Sequence, residues 1–250
     1  MNASSDSSSI KAARAAFPSG LEQPEGSFRF SQDALLLAGF AAEHASFDDI
    51  SVAELGTGCG VVSLALLLSR PSCRAVGLER ESVLTEAAGH NAELLGLADS
   101  FTALTGDVAS REDLRRMREV LREKLCQKRK NEVEQDAEIL PLFDLVVTNP
   151  PWRTEGSGRV PPSDMRRRAL FGDEETFPSF FRAADALLKN GGILAAVSGA
   201  DRTAELIDAL PSRMHPEVLR FVFTKEEAPA EFVLLLARKN GRGALRVEKA

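Results

Sequence analysis

From Ser51 onward, short apolar runs alternate with longer segments in which apolar residues recur every three or four positions. Runs rich in β-branched residues and leucine read as buried strands, and the three-to-four spacing reads as helices docked by one face. The strands predicted are Ser51–Leu55, Ala75–Glu79, Phe101–Thr105, Asp144–Thr148, Gly192–Val197, Leu219–Phe223 and Glu231–Ala237. Val61–Ser69, Ser82–Leu95 and Phe177–Leu188 are the helices between them, with Gly191-Gly192 as a helix stop before the fifth strand. Seven strands alternating with helices imply an α/β fold, a mostly parallel sheet covered on both faces. Thr224–Ala230 is too short for a crossover helix and suits a hairpin, so the sheet is expected to end in one antiparallel strand.

Two stretches break this rhythm. Residues 1–16 open with a serine-rich run that has too little apolar content to offset the entropy of ordering, and are expected to form a flexible tail. Ser110–Asp136 carries dense charge of both signs, with Leu114, Met117, Leu121 and Leu125 at helical spacing. It reads as an amphipathic helix inserted over residues 110–140. Either it is a solvated helix with a narrow docking stripe, or it is an RNA-contacting arm using Arg115, Arg116, Arg118 and Arg122.

At 250 residues and 44% hydrophobic, the chain supports one substantial core, so residues 17–250 are expected to form a single domain and a monomer is favoured. A net charge of −6 argues against a surface wholly devoted to nucleic acid and leaves room for a local basic patch. No run approaches the roughly 18 apolar residues of a membrane span, and the N-terminus lacks an apolar signal core, so a cytoplasmic protein without a membrane partner is expected. Cys59, Cys73 and Cys126 lack CxxC or Cys/His spacing, which predicts neither a disulfide framework nor a metal site.

The candidate chemistry lies at strand ends. Glu54-Leu55-Gly56-Thr57-Gly58-Cys59-Gly60 follows the first strand and opens a helix, where glycines permit a tight turn and close approach of a ligand. A dinucleotide fingerprint would require a sixth-position glycine, and that position holds Val61 counted from Gly56 or Ser63 counted from Gly58. About 20 positions further on, Glu79 ends the second strand where a carboxylate accepts hydrogen bonds from ribose hydroxyls. Asp107, in Thr105-Gly106-Asp107-Val108, ends the third strand, as a helix cap or a ligand contact facing the same crevice. The fourth strand runs into Asn149-Pro150-Pro151-Trp152. Two prolines fix their own φ angles and bias Asn149 towards an extended conformation, making a rigid hydrogen-bond acceptor turn. An amide or aromatic NH2 is a poor nucleophile because its lone pair is delocalised. Hydrogen bonds from it to the Asn149 side-chain oxygen and the Pro150 carbonyl would draw it towards tetrahedral geometry. Trp152 offers a stacking face worth about 1–3 kcal/mol for a base. This is catalysis by positioning and electrostatics.

The Glu-x-Gly-x-Gly-x-Gly spacing resembles motif I of class I S-adenosylmethionine-dependent methyltransferases, and Asn149–Trp152 resembles the Asn-Pro-Pro-aromatic motif of enzymes that methylate adenine N6, guanine N2 or glutamine N5. Tyr or Phe is commoner in the last position, and this chain has no Tyr. Gln23 to Ala38, including Arg29-Phe30-Ser31-Gln32-Asp33, is similar to the N-terminal segment of the tRNA1(Val) adenine-37 N6-methyltransferase family. The resemblance implies a Rossmann-like class I methyltransferase fold, with residues 17–50 covering the cofactor. It implies cofactor contacts from Phe30, Asp33, Glu54, Gly56, Thr57, Gly58, Gly60, Glu79, Arg80, Asp107, Val108 and Asn149, and catalysis by Asn149, Pro150, Pro151 and Trp152. S-adenosyl-L-methionine is the implied cofactor and tRNA the implied substrate. Arg153, Arg159, Arg166, Arg167 and Arg168, beside Gly156 and Gly158, are candidate phosphate contacts. The competing expectations are a glutamine N5-methyltransferase of release factors, an rRNA guanine N2-methyltransferase, and a non-catalytic binding module. The release-factor enzymes carry a helical N-terminal domain, whereas about 50 residues precede the first predicted strand here.

Overall fold

The computed structural model describes residues 3–45, 49–128, 140–153, 163–225 and 227–250. Its sheet runs in the order β3 (Phe101–Thr105), β2 (Arg74–Glu79), β1 (Ser51–Leu55), β4 (Phe143–Thr148), β5 (Leu188–Gly199), β7 (Phe232–Lys239), β6 (Met214–Val222), β8 (Arg246–Lys249). The first five are parallel neighbours, β7 runs antiparallel to both β5 and β6, and β8 lies parallel to β6. The reversed strand expected at the end of the sheet therefore sits inside it. Nested there, β7 is almost wholly buried, which its unbroken apolar run Phe232–Ala237 allows.

Helices cover both faces. α2 (Gln32–His44), α3 (Val61–Ser69) and α4 (Ser82–Leu94) pack on one face, and α5 (Arg111–Lys128), α7 (Thr176–Leu187) and α8 (Thr203–Asp208) on the other. The two-residue period of a strand divides its side chains between these layers. In β5, Ile193, Ala195 and Val197 face the α2–α3 layer, while Leu194 and Ala196 face the α7 layer.

Five further features differ from expectation. Residues 3–16, expected as a tail, form helix α1; Ala13 packs against the core, Ile10 sits against Gly96, and Arg14 Nε donates to the Leu95 carbonyl at 2.8 Å. The Lys-Ala-Ala-Arg-Ala-Ala stretch that follows the serines has high helix propensity and supplies that docking. The charged segment is no accessory insertion: α5 is the crossover helix between β3 and β4, and Met117 and Leu121 are fully buried in the core. The remainder of that segment, residues 129–139, lies outside the described residues. β5 starts at Leu188, so Gly191 and Gly192 fall inside the strand, beside a register shift against β4, rather than ending the helix. β6 begins at Met214, before the predicted Leu219, and accommodates Pro216 beside a register shift, where a missing N–H is tolerated. β8 has too little apolar content to stand out in sequence and leaves Val247 67% exposed at the sheet edge.

Candidate active site

The carboxyl ends of β1, β2, β3 and β4 open onto one cleft of about 810 Å3, a volume suited to a small-molecule ligand. Gly56, Gly58 and Gly60 have φ of 72°, 54° and 87°, in the left-handed region that glycine alone enters without strain. The turn is tied to the neighbouring strand by Gly56 and Thr57 N–H groups donating to the Leu78 carbonyl at 2.9 and 3.0 Å. A Cβ on Gly58 would meet nothing within 4 Å, so its backbone faces open space for a ligand, whereas one on Gly56 would press on Phe180 at 3.3 Å. Gly60 lies off the cleft. It caps α3 and is surrounded by Leu64, Ala88 and Phe101, so its place in the motif is explained by packing.

Glu54 supports the turn from below. It accepts from the Thr57 hydroxyl at 2.7 Å and the Ser63 N–H at 3.0 Å, and burial pushes its carboxyl up to about 7 despite those bonds. Glu79 joins the two strand ends, accepting from Gly58 N–H at 2.8 Å and Glu81 N–H at 3.1 Å. Burial raises its pKa too, against the lowering effect of the Glu81, Gly58 and Arg80 N–H groups, and the carboxylate lines the cleft. Asp107 is held below the usual carboxylate range by the Ala109 N–H and by Arg80, 3.0 Å away. Thr57, Arg80 and Val108 also line the cleft. Burial and the neighbouring Glu54 push the Cys59 thiol up to about 11, so it is not a reactive thiolate.

The opposite wall is the Asn149–Trp152 turn, with Phe30 and Asp33 from the N-terminal segment. Asn149 Nδ2 donates to Asp33 Oδ2 at 2.8 Å. The Trp152 carbonyl accepts from Arg202 at 2.6 Å. The Trp152 ring meets Phe232 edge-on at 6.2 Å and lies against Gly199, where any Cβ would come within 2.8 Å. The Arg153 guanidinium lies over the ring, 5.6 Å from its centroid. Part of the face expected to stack on a substrate is thus shared with Arg153. A strap completes the wall: Arg153 N–H donates to the Leu170 carbonyl, Gly172 N–H donates to the Arg153 carbonyl, and a Cβ on Gly172 would collide with the Pro151 carbonyl oxygen.

The five candidate phosphate-binding arginines separate. Arg153 and Arg168 line the cleft, but Arg168 is bound to Glu81 at 2.8 Å and braces α6 (Asp164–Leu170) across the opening. Arg166 lines an adjacent groove with Arg29; Arg167, on the same helix, lines neither cavity, and Arg159 lies outside the described residues. Three of the four α5 arginines named as an RNA-contacting arm have partners within the protein. Arg115 pairs with Glu119, Arg116 with Asp113, and Arg118 donates to the Pro141 carbonyl, so these guanidinium groups serve their own helix and the next loop. Ser179, Phe180, Glu175, Glu231 and Phe232 also line the cleft, and no sequence motif marks them. Phe180 has one signal: it falls beside the buried stripe of Phe177 and Phe181 on α7 without belonging to it. Among the described residues, no group of three or more His, Cys, Asp or Glu is arranged to hold a metal ion, and no helix is long and apolar enough to cross a membrane.

The fold and this cleft define the class: a Rossmann-like α/β domain whose architecture superposes on solved methyltransferase structures. A predicted O-methyltransferase from Agrobacterium tumefaciens superposes with a TM-score of 0.58 at 22% identity, covering 87% of this chain and 86% of that one. In sequence, the chain is 27% identical over 192 residues to the tRNA1(Val) (adenine(37)-N6)-methyltransferase of Porphyromonas gingivalis, covering 74% of this chain and 64% of the relative. It is also 27% identical over 173 residues to the release factor glutamine methyltransferase of Chlorobaculum tepidum, covering 67% and 51% respectively. The chain thus spans between half and two thirds of these curated relatives. No protein-family profile matches it.

Proposed function

We propose that the protein is an S-adenosylmethionine-dependent N-methyltransferase acting on the N6 amino group of adenine in tRNA. The observation that carries the reading is that Asn149, with its amide NH2 turned away onto Asp33, shares one cleft with Glu79 and the glycine turn. The residues fit the cofactor: Gly58 leaves backbone open to a ligand, Glu79 offers two anchored carboxylate oxygens to ribose hydroxyls, and Asp107, Val108 and Phe180 flank the remaining space. Bound there, S-adenosylmethionine supplies an electrophilic methyl group on a sulfonium.

The chain's own residues handle the acceptor. Asn149 Oδ1 and the Pro150 carbonyl take hydrogen bonds from the NH2, aligning its lone pair with the methyl group. Trp152 and Phe232 provide an apolar seat for a planar base, and a base stacked within RNA would leave its stack to enter. The guanidinium groups of Arg29 and Arg166 in the adjacent groove, with Arg153 at the cleft, favour a phosphate-bearing substrate.

A glutamine side-chain amide is the second reading. The carboxylates of Asp173, Glu175 and Glu231 at the cleft and the release-factor relative favour it, since acidic groups repel phosphate. Transfer of radiolabelled methyl to total tRNA or to a glutamine-containing release factor separates the two. Label in tRNA alone is expected, and label in the protein alone would replace the first reading by the second.

A further inference from the structure

Asp33 lies in the first turn of α2 and is 2% exposed, yet it reaches Asn149 across 116 residues of sequence. One of its oxygens takes the Asn149 Nδ2–H at 2.8 Å and the other accepts from the Ser31 hydroxyl, which fixes the carboxylate's own orientation. The free N–H groups and positive dipole end of the α2 first turn suit a negative charge there. A carboxylate only accepts hydrogen bonds, whereas a carboxamide has a donor edge and an acceptor edge that exchange on a 180° flip. Held against Asp33, Asn149 turns its NH2 to the carboxylate and its Oδ1 to the opposite side. The flipped amide would set oxygen against oxygen at a buried site, leaving both without donors, and would meet an incoming NH2 donor to donor.

We propose that Asp33 is a positioning residue that locks the Asn149 amide with its oxygen facing the acceptor nitrogen, a role that rests on the methyl-transfer reading above. It differs from the cofactor contact that the resemblance implied for Asp33. Asp33 acts through Asn149, and its loss impairs turnover while leaving cofactor binding in place.

The test uses the full chain and compares Asp33→Asn, Asn149→Asp and the double exchange. Asp33→Asn keeps the shape but can meet Asn149 with either edge. Its kcat for methyl transfer to tRNA should fall about 10- to 100-fold, the scale of losing a partner that orients a reacting group. Its dissociation constant for S-adenosylmethionine, measured by calorimetry, should stay within about threefold. Asn149→Asp alone sets two carboxylates side by side and should be impaired at least as much. The double exchange swaps the two groups. The carboxamide on α2 then donates to the carboxylate after β4, and a carboxylate oxygen still faces the acceptor. Activity should therefore recover about tenfold or more over either single variant, a coupling that independent sites do not show. Independently of turnover, proton–nitrogen NMR should find one Asn149 amide proton protected from exchange in the wild type and unprotected in Asp33→Ala. Unchanged kcat in Asp33→Asn, no recovery in the double exchange, or an unprotected wild-type amide would each overturn the proposal. A weakened cofactor affinity with unchanged kcat would do so by returning Asp33 to cofactor binding. A protected amide in a wild-type protein that methylates neither tRNA nor glutamine would refute the methyl-transfer reading itself, and the positioning role would fall with it.

Discussion

The two walls of the cleft are assembled differently. The wall at the ends of β1–β3 is wired over short stretches of chain: Glu54 reaches Thr57 and Ser63, Glu79 reaches Gly58 and Glu81, and the longest of these links, Arg80 to Asp107, spans 27 residues. The wall around Asn149 is held by contacts between distant segments, Asn149 to Asp33, Ser163 to Gly26 and Arg168 to Glu81. Each link of the first can form as soon as neighbouring strands pair. The second exists only when the N-terminal segment, β4 and α6 have all docked, so the wall proposed to hold the acceptor depends on more of the fold than the wall proposed to hold the cofactor.

That contrast predicts a separation of effects, and the largest is expected at Asn149. Asn149→Ala should lower kcat by about 10²- to 10³-fold, the scale for losing one oriented hydrogen-bonding group in a reaction site, with cofactor affinity nearly unchanged by calorimetry. Equal losses in both would mean that the two walls are not separable.

In the local wall, Glu54 should leave a pH signature in stability. Its carboxyl titrates near 7 when folded against 4.5 as the reference value. Between these values the folded chain holds a proton that the unfolded chain has lost. The contribution is therefore fully present below 4.5 and is lost as pH rises through about 7, a decline on the order of 3 kcal/mol for this group. Urea unfolding from about pH 5 to 8 should display the decline, and Glu54→Gln, which keeps an acceptor for Ser63 N–H, should flatten it. An unaltered slope in that variant would locate the effect elsewhere.

Smaller is the effect of Gly172→Ala, which drives a methyl group into the Pro151 carbonyl and should cost about 1–3 kcal/mol of stability, as overpacking does. It should also lower kcat more than cofactor affinity, since the added methyl presses on the Pro151 carbonyl beside Asn149. Smallest is Arg166→Glu, which should weaken tRNA binding and reduce the dependence of log K on log salt by about one phosphate contact, without affecting cofactor binding. A variant with an unchanged salt slope would remove Arg166 from the RNA track.

The same division governs how much is legible in the sequence. β1 and β3, helix α3, the glycine turn and Glu79 stand where the sequence predicts them because each is encoded by a short contiguous pattern. α5 is legible as an amphipathic helix but not as a core element. Its Leu114, Met117 and Leu121 stripe is the same in a docked accessory helix and in a crossover helix, and only the order of strands distinguishes them. α1 escapes sequence reading because, although residues 11–16 favour a helix, its docking comes from Arg14 and Ile10 meeting residues 95 and 96, contacts that the local sequence does not encode. The role of Asp33 is hidden for the same reason. An acid in a first helical turn is ordinary, and its partner is supplied by a different strand. Arg168 looks like an available cation in sequence because its counter-charge, Glu81, lies 87 residues away.

The central claim, that the acceptor wall presents a hydrogen-bond acceptor to an adenine amino group while the opposite wall holds the methyl donor, is tested most directly by product identity. tRNA incubated with the full chain and S-adenosylmethionine should yield N6-methyladenosine on nucleoside mass spectrometry, and should yield none with Asn149→Ala. A methylated nucleoside of another kind, or N6-methyladenosine that persists in Asn149→Ala, would contradict the account.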